Sequence, residues 1–416
     1  MNKHIIAAML ALPLALSNAF AQEAADSSLK ISGFGTAGVA WSNTDDAQFG
    51  RSNQASGAGK HARTGVDSNL GLQADYAINS WLSVTGQGLV RKDGEDDYGA
   101  EVAWAFVKAK LSDEVSVRVG RMGLPVFMIS DYRNVGYANT FIRPPIEMYS
   151  QVPFNGIDGI DATWQHGFGG TNLTAQVAFG RTKTFLATGV HLNTNRIKAV
   201  NIVAENGPLT MRIGRAEAKV TISDSASLNT LYTSLRAAGA GYHFSQLPAL
   251  ADAMMPDNKK ATFTSAGVGL DWNNIVVQSE FAKRKTDAYI NDTTAWYVMG
   301  GYRVGKFLPY YTHAKLTADR IINNTVPASC PAGYPAACTP TMQALSAGVN
   351  QLPHVGNGQG EQTTDSIGVR WDFYRSVALK VQVDRIRPVG PGLFLNPQPG
   401  FKGPVTVGAV ALDFVF

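Results

Sequence analysis

The chain has 416 residues, 36 Lys and Arg against 32 Asp and Glu, a net charge of +4 and only 16% charged residues, where soluble domains carry about 25%. So even a balance is not the footprint of a nucleic-acid binder. The 7 histidines, His4, His61, His166, His191, His243, His313 and His354, show no metal-ligand spacing among themselves or with the 2 cysteines, so neither metal nor cofactor is expected.

At the amino end, Lys3 and His4 precede an uncharged run over 5–16 and then Ala19-Phe20-Ala21. This is the pattern of a secretory leader over 1–21, with one mature domain over 22–416. The run is too short to span a bilayer as a helix, and nothing downstream offers about 18 consecutive apolar residues. If a membrane holds this protein, strands do the spanning.

The next segment, ISGFGTAGVAW, contains a G-x-G-x-x-G match over 33–38. A dinucleotide turn needs a helix to follow, whose amides can meet a pyrophosphate. Here β-formers and then turn-formers follow, and Leu29, Ile31, Gly33, Gly35, Ala37, Val39 and Trp41 share one parity. The spacing predicts a strand.

The rest of the chain parses into period-two segments of about ten residues, the pattern of a membrane β-barrel. Strands are predicted over 29–42, 70–78, 81–92, 102–111, 115–121, 157–166, 171–182, 196–205, 209–222, 260–272, 275–285, 293–304, 307–320, 364–373, 376–387 and 404–416. About sixteen strands result, the even number expected of a bacterial barrel. Short turns, such as Asn79-Ser80 and Asn273-Asn274, alternate with longer segments at 43–65, 93–97, 122–156, 183–195, 223–259, 286–292, 321–363 and 388–403. The segment 223–259 reads as partly helical.

Several strands reveal their faces. Ile367, Val369, Trp371 and Phe373 alternate with Ser366, Arg370 and Asp372, and Val377, Leu379, Val381 and Val383 alternate with Lys380, Gln382 and Asp384. A sixteen-strand interior is too wide for side chains to fill, so the polar parity faces an aqueous lumen. Arg212 and Arg215 fall on opposite parities, which suggests a bulge near Gly214. Trp41, Trp81, Trp164, Trp272, Tyr302, Trp371 and Tyr374 fit interfacial girdles. The last strand puts Val410, Leu412, Phe414 and Phe416 on one face, hazardous at a soluble edge but sensible against lipid.

Cys330 and Cys338, within CPAGYPAAC of an exported chain, are expected to form a local disulfide, with two free thiols as the alternative. The acidic run 93–97 reads as a solvated loop or as a holder of divalent cations bridging lipopolysaccharide. Neither a G-x-S-x-G elbow nor a P-loop occurs, so an enzyme is not expected; an outer-membrane hydrolase would need a Ser-His pair on adjacent strands that parity does not supply.

In the order of its segments, ISGFGTAGVAW, SDEVSVRVGR, GIDGIDATWQHGFGG and the terminal ALDFVF, the mature chain resembles the general porins of the Gram-negative outer membrane. The resemblance implies an all-β transmembrane antiparallel barrel with a constriction loop folded into the lumen. It also implies a homotrimer in outer-membrane lipid and lipopolysaccharide, and passive diffusion of ions and small hydrophilic solutes. It makes Val410, Leu412, Phe414 and Phe416 the signal read by the barrel assembly machinery, and 122–156 the constriction loop. Arg118, Arg303, Arg370 and Lys380 are then expected to face the loop's Asp131, Arg133, Arg143 and Glu147 across the pore. The outcome would be mild anion preference or near neutrality. Alternatively, Asp131 with Arg133 and Arg143 with Glu147 form internal pairs that pin the loop. A solute-selective channel and a receptor or adhesin barrel are the other readings.

Overall fold

A computed structural model describes residues 28–154, 156–186, 190–223, 225–288, 290–320, 322–352 and 360–416. The expected leader lies outside them. Sixteen strands run β1 Leu29–Ser42, β2 Asn69–Ala77, β3 Leu82–Lys92, β4 Tyr98–Lys110, β5 Val115–Gly123, β6 Gly156–Phe168, β7 Thr171–Leu186 and β8 Val190–Asn206. They continue as β9 Leu209–Ser223, β10 Lys259–Trp272, β11 Ile275–Thr286, β12 Asp292–Tyr302, β13 Phe307–Arg320, β14 Gln362–Tyr374, β15 Val377–Pro388 and β16 Val405–Val415. Each pairs antiparallel with its chain neighbours, and β1 closes on β16. Closure leaves no open edge, so every strand finds hydrogen-bonding partners on both sides.

Alternation sorts the two faces. Leu72, Val119, Ile160, Phe179, Ile213 and Phe281 are exposed on the outside, and Ile367 reaches 69% exposure. Trp81, Trp272, Tyr302 and Tyr374 stand exposed beside the short turns. Those turns carry the chemistry their sequences demand: Asn79 Oδ1 accepts from the amides of Trp81 and Leu82 at 3.0 and 2.8 Å, and Asn273 takes the left-handed conformation at φ 54°.

The glycines of the first strand make room for rings. A Cβ on Gly33 would stand 2.2 Å from the Phe416 ring, and one on Gly35 would stand 2.5 Å from that of Phe414. The G-x-G spacing therefore serves the barrel seam, where β1 meets the end of the chain.

Two expectations are corrected. The segment 183–195 is not a long loop, because β7 runs on to Leu186 and β8 starts at Val190. The bulge expected near Gly214 is absent: β9 pairs without interruption there, and the register shift on its neighbour falls between Asn195 and Lys198. Arg212 points into the lumen and Arg215 outward, simply by alternation. Arg215 lies midway along β9, on the long-loop side of outward-facing Met211 and Ile213, where it donates to Thr264 Oγ1 at 2.8 Å.

At the long-loop rim, the helices Ala226–Gly241, Gln246–Met254 and Cys338–Asn350 share a small core of their own, with Leu235, Leu247, Met254, Met342 and Val349 buried. Ser225 caps the first, accepting from the Leu228 amide. Cys330 and Cys338 are joined by a disulfide beside this core.

Candidate pore constriction

The segment between β5 and β6 folds into the barrel and lies along the inner wall. Its apolar residues explain why. Leu124, Phe127, Ile129, Phe141, Met148 and Tyr149 are buried against inward-facing Phe263, Tyr297, Met299, Tyr310 and Leu316 of the wall. Phe127 stacks against Tyr149 with centroids 4.4 Å apart and meets Phe263 edge-on at 5.2 Å. Burying such rings is the main driving force for seating the loop.

Polar side chains of the wall rivet it in place. Lys380 is fully buried and donates to the carbonyls of Gly136, Asn139 and Phe141 at 2.7, 2.6 and 3.0 Å, while pairing with Asp413 at 2.8 Å. Arg370 donates to the carbonyls of Tyr137 and Asn139 at 2.7 and 2.9 Å and pairs with Asp372 at 2.8 Å. Arg212 holds the carbonyls of Pro125 and Val126 at 2.5 and 2.9 Å, and Glu280 accepts from the Met128 amide at 2.9 Å. These bonds satisfy backbone groups that the loop would otherwise leave unpaired.

The loop answers with its own charges. Arg143 reaches Asp67 at 2.8 and 2.6 Å and Asp384 at 3.0 Å, and stacks over the Phe49 ring. Burial opposes its charge, but the two carboxylates raise the guanidinium above its ordinary value. Glu147 accepts from Gln362 Nε2 at 2.7 Å and from the Thr364 hydroxyl; burial pushes its carboxyl up, and these bonds hold it back.

The internal pairs proposed from sequence are therefore replaced. Arg143 and Glu147 engage the wall and the first loop rather than each other: both line one cleft, but Arg143 is taken by Asp67 and Asp384 and Glu147 by Gln362 and Thr364. Arg118 pairs with Asp161 at 2.5 Å, and Arg303 sits by the short turns, paired with Asp271 at 2.5 Å. Arg118, Arg303, Arg370 and Lys380 thus all carry a carboxylate partner, and the last two are anchors. Among the described residues, Asp131 does not pair with Arg133.

Arg133 is the exception. Among the described residues no carboxylate lies within ion-pair distance of it. Burial, then Arg91 and Arg51, push its guanidinium down to about 9, still cationic at neutral pH. Arg51, from the first loop, is likewise lowered by burial to about 10; its Nε donates to the Val66 carbonyl at 2.8 Å and one terminal nitrogen has no partner. Arg91 pairs with Glu101 at 2.7 Å. Arg51, Arg91 and Arg121 line a recess of about 270 Å³ on the long-loop side of the constriction. A vestibule of about 520 Å³, walled by Tyr132, Tyr137, Arg212, Arg370 and Asp271, lies on the other side.

Sequence reasoning passed over Arg51 and Arg91. Arg91 was within reach, since it shares the inward parity of Gln87 and Leu89 on β3. Arg51, in an irregular loop, carried no periodic signal.

Solved outer-membrane porins share this architecture. OmpF of Salmonella typhi, solved with daunomycin, aligns over 93% of this chain and 97% of its own at a TM-score of 0.55 and 13% identity. An anion-selective porin from Comamonas acidovorans aligns over 94% and 100% at 0.53 and 14%. The outer membrane channel DcaP of Acinetobacter baumannii aligns over 93% and 97% at 0.54 and 10%. No protein-family model and no curated protein sequence matches the chain. The chain has the porin fold, a closed barrel of sixteen antiparallel strands.

Proposed function

We propose that the protein is a water-filled diffusion channel of a Gram-negative outer membrane, not an enzyme, passing ions and small hydrophilic solutes with a preference for anions. The observation that carries this reading is the loop held inside the barrel, whose Arg133 stands beside Arg51 and Arg91 with no carboxylate of its own. Low-dielectric walls focus the field of such uncompensated charge on a passing ion.

The surroundings support the setting. The apolar belt suits lipid, and the secretory leader suits export. Outward-facing Lys198, Lys219, Lys260, Lys283 and Lys285 stand above the belt at the long-loop end, a height suited to lipopolysaccharide phosphates. The outer face of β2–β4, where Leu70, Leu72, Val84 and Val102 are exposed and Gly86 and Gly88 have open space above them, suits the contact of a homotrimer. Val410, Leu412, Phe414 and Phe416 remain the assembly signal.

The test is single-channel recording of the refolded protein in a planar bilayer, followed by reversal potentials in a KCl gradient. Stepwise openings in triplets and a potential favouring chloride are expected. Inserted but silent barrels would overturn the channel, and a potassium-favouring potential would overturn the role of the arginines.

A further inference from the structure

The lumen wall breaks its own rule above the loop. Inward positions of a water-filled barrel are expected to be polar. Yet Leu186, Leu192, Ile197, Val220, Ile222 and Phe263, on β7 to β10, surround a recess of about 280 Å³ between the wall and residues 150–154 of the loop. This is the size of a small-ligand pocket, lined mainly by hydrocarbon.

One cation reaches into it. Arg284, on β11, is among the lining residues. Two of its donors are used, on the carbonyls of Gln151 at 3.1 Å and Asn291 at 3.2 Å. Its Nε has no acceptor, and among the described residues no carboxylate pairs with it. Asp292, the acid whose field it feels, accepts instead from the Thr286 amide at 2.8 Å. A guanidinium has five N–H groups, so an unfilled edge remains beside an apolar wall.

We infer that this recess binds a small amphipathic carboxylate, its carboxylate on Arg284 and its hydrocarbon body against Leu192, Val220 and Ile222. The inference rests on the channel reading and names a solute class for it. The chemistry excludes the neighbours of that class. A sugar would set most of its hydroxyls against the hydrocarbon that makes up most of the lining, and a neutral hydrocarbon would leave the guanidinium edge unpaired. A dicarboxylate would press its second charge against hydrocarbon. Carboxylates meet arginine through two parallel hydrogen bonds, which fixes the end that binds.

The test uses 4-phenylbutyrate, its neutral analogue 4-phenylbutanamide, and acetate, added to single channels in KCl. 4-Phenylbutyrate is expected to interrupt the current in a saturable manner, about tenfold more tightly than the amide. Acetate, which has no body, should have no effect. Arg284→Gln should abolish the advantage of the acid and leave the amide unchanged, while Val220→Asn should weaken both; each variant must keep the heat-dependent gel shift of a folded barrel. Equal interruption of Arg284→Gln and wild-type channels by the acid, or none in either while KCl conductance persists, overturns the site and leaves the channel standing. If KCl conductance is absent, the channel reading fails instead. Calorimetry on protein in lipid nanodiscs then decides the site, since 4-phenylbutyrate must still bind wild type better than Arg284→Gln.

Discussion

Replacing Arg143 by alanine removes the charge that ties the constriction loop to both the first loop and β15. The side chains of Arg143, Asp67 and Asp384 are only 5%, 3% and 4% exposed, so the two carboxylates would be left buried without their counter-ion. Breaking a buried pair in this way costs about 3–5 kcal/mol. Two features favour the lower end: Gln382 Nε2 still donates to Asp384 at 2.7 Å, and the field of Arg51 still acts on Asp67. About 3 kcal/mol corresponds to a roughly hundredfold rise in the population of detached loop. The assay is amide hydrogen exchange across 136–151, with the Ile142 amide as reporter because it donates to Gln382 Oε1 at 3.1 Å. Exchange there should accelerate by about that factor, while the strands of the barrel hold their protection. Adding Asp67→Asn and Asp384→Asn should restore most of the protection, since the cost lies in the orphaned carboxylates. Protection within twofold of wild type in Arg143→Ala would refute the reasoning.

The same anchor has a pH signature. Burial raises the Asp67 carboxyl, but Arg143 outweighs it and the folded value lies below the ordinary 3.8. Its stabilisation is therefore complete above that value and is lost as pH falls through the folded one, so open-channel noise should rise only below pH 3.8. Arg133→Ser should move the reversal potential toward potassium, whereas Arg303→Ser, which removes a charge already paired with Asp271, should shift it much less; equal shifts would contradict the assignment. Cys330→Ser with Cys338→Ser opens a loop with a sequence separation of 8, worth roughly 2–3 kcal/mol to the helical cap, so protease should cut 322–350 faster at unchanged conductance. Gly35→Val, which drives a Cβ into the Phe414 ring, should lower the yield of folded barrel in a gel-shift assay.

The strands were legible where the outer face is apolar and the inner face polar. Ile367 and Val369 facing out, with Ser366 and Arg370 facing in, is the signal in its clean form. It faded at the upper ends of β7 and β8, where Lys183 and Asn193 make the outer face polar while Leu186 and Leu192 turn inward against the loop. There the apolar-out, polar-in contrast is lost, and strand looked like loop. The site was legible in its charges and not in their partners. Lys380, Arg370, Arg143 and Glu147 were picked out, but Lys380 meets Asp413 and Gly136, and Arg143 meets Asp67 and Asp384. Those contacts depend on which wall the loop lies against, a tertiary choice that no local period records.

The seam between β1 and β16 sets the order in which the molecule can be made. Its register runs from Phe34 opposite Val415 to Ser42 opposite Val407, and Thr36 bonds Asp413 across 377 positions. Until β16 is present, the nascent sheet has two bare margins, each a row of unsatisfied amides and carbonyls. Lys380, too, finds Asp413 only then, so the last strand completes both the wall and the seat of the constriction loop. Without β16 the first strand has no partner on that side, and the unfinished sheet would have to be held by something else.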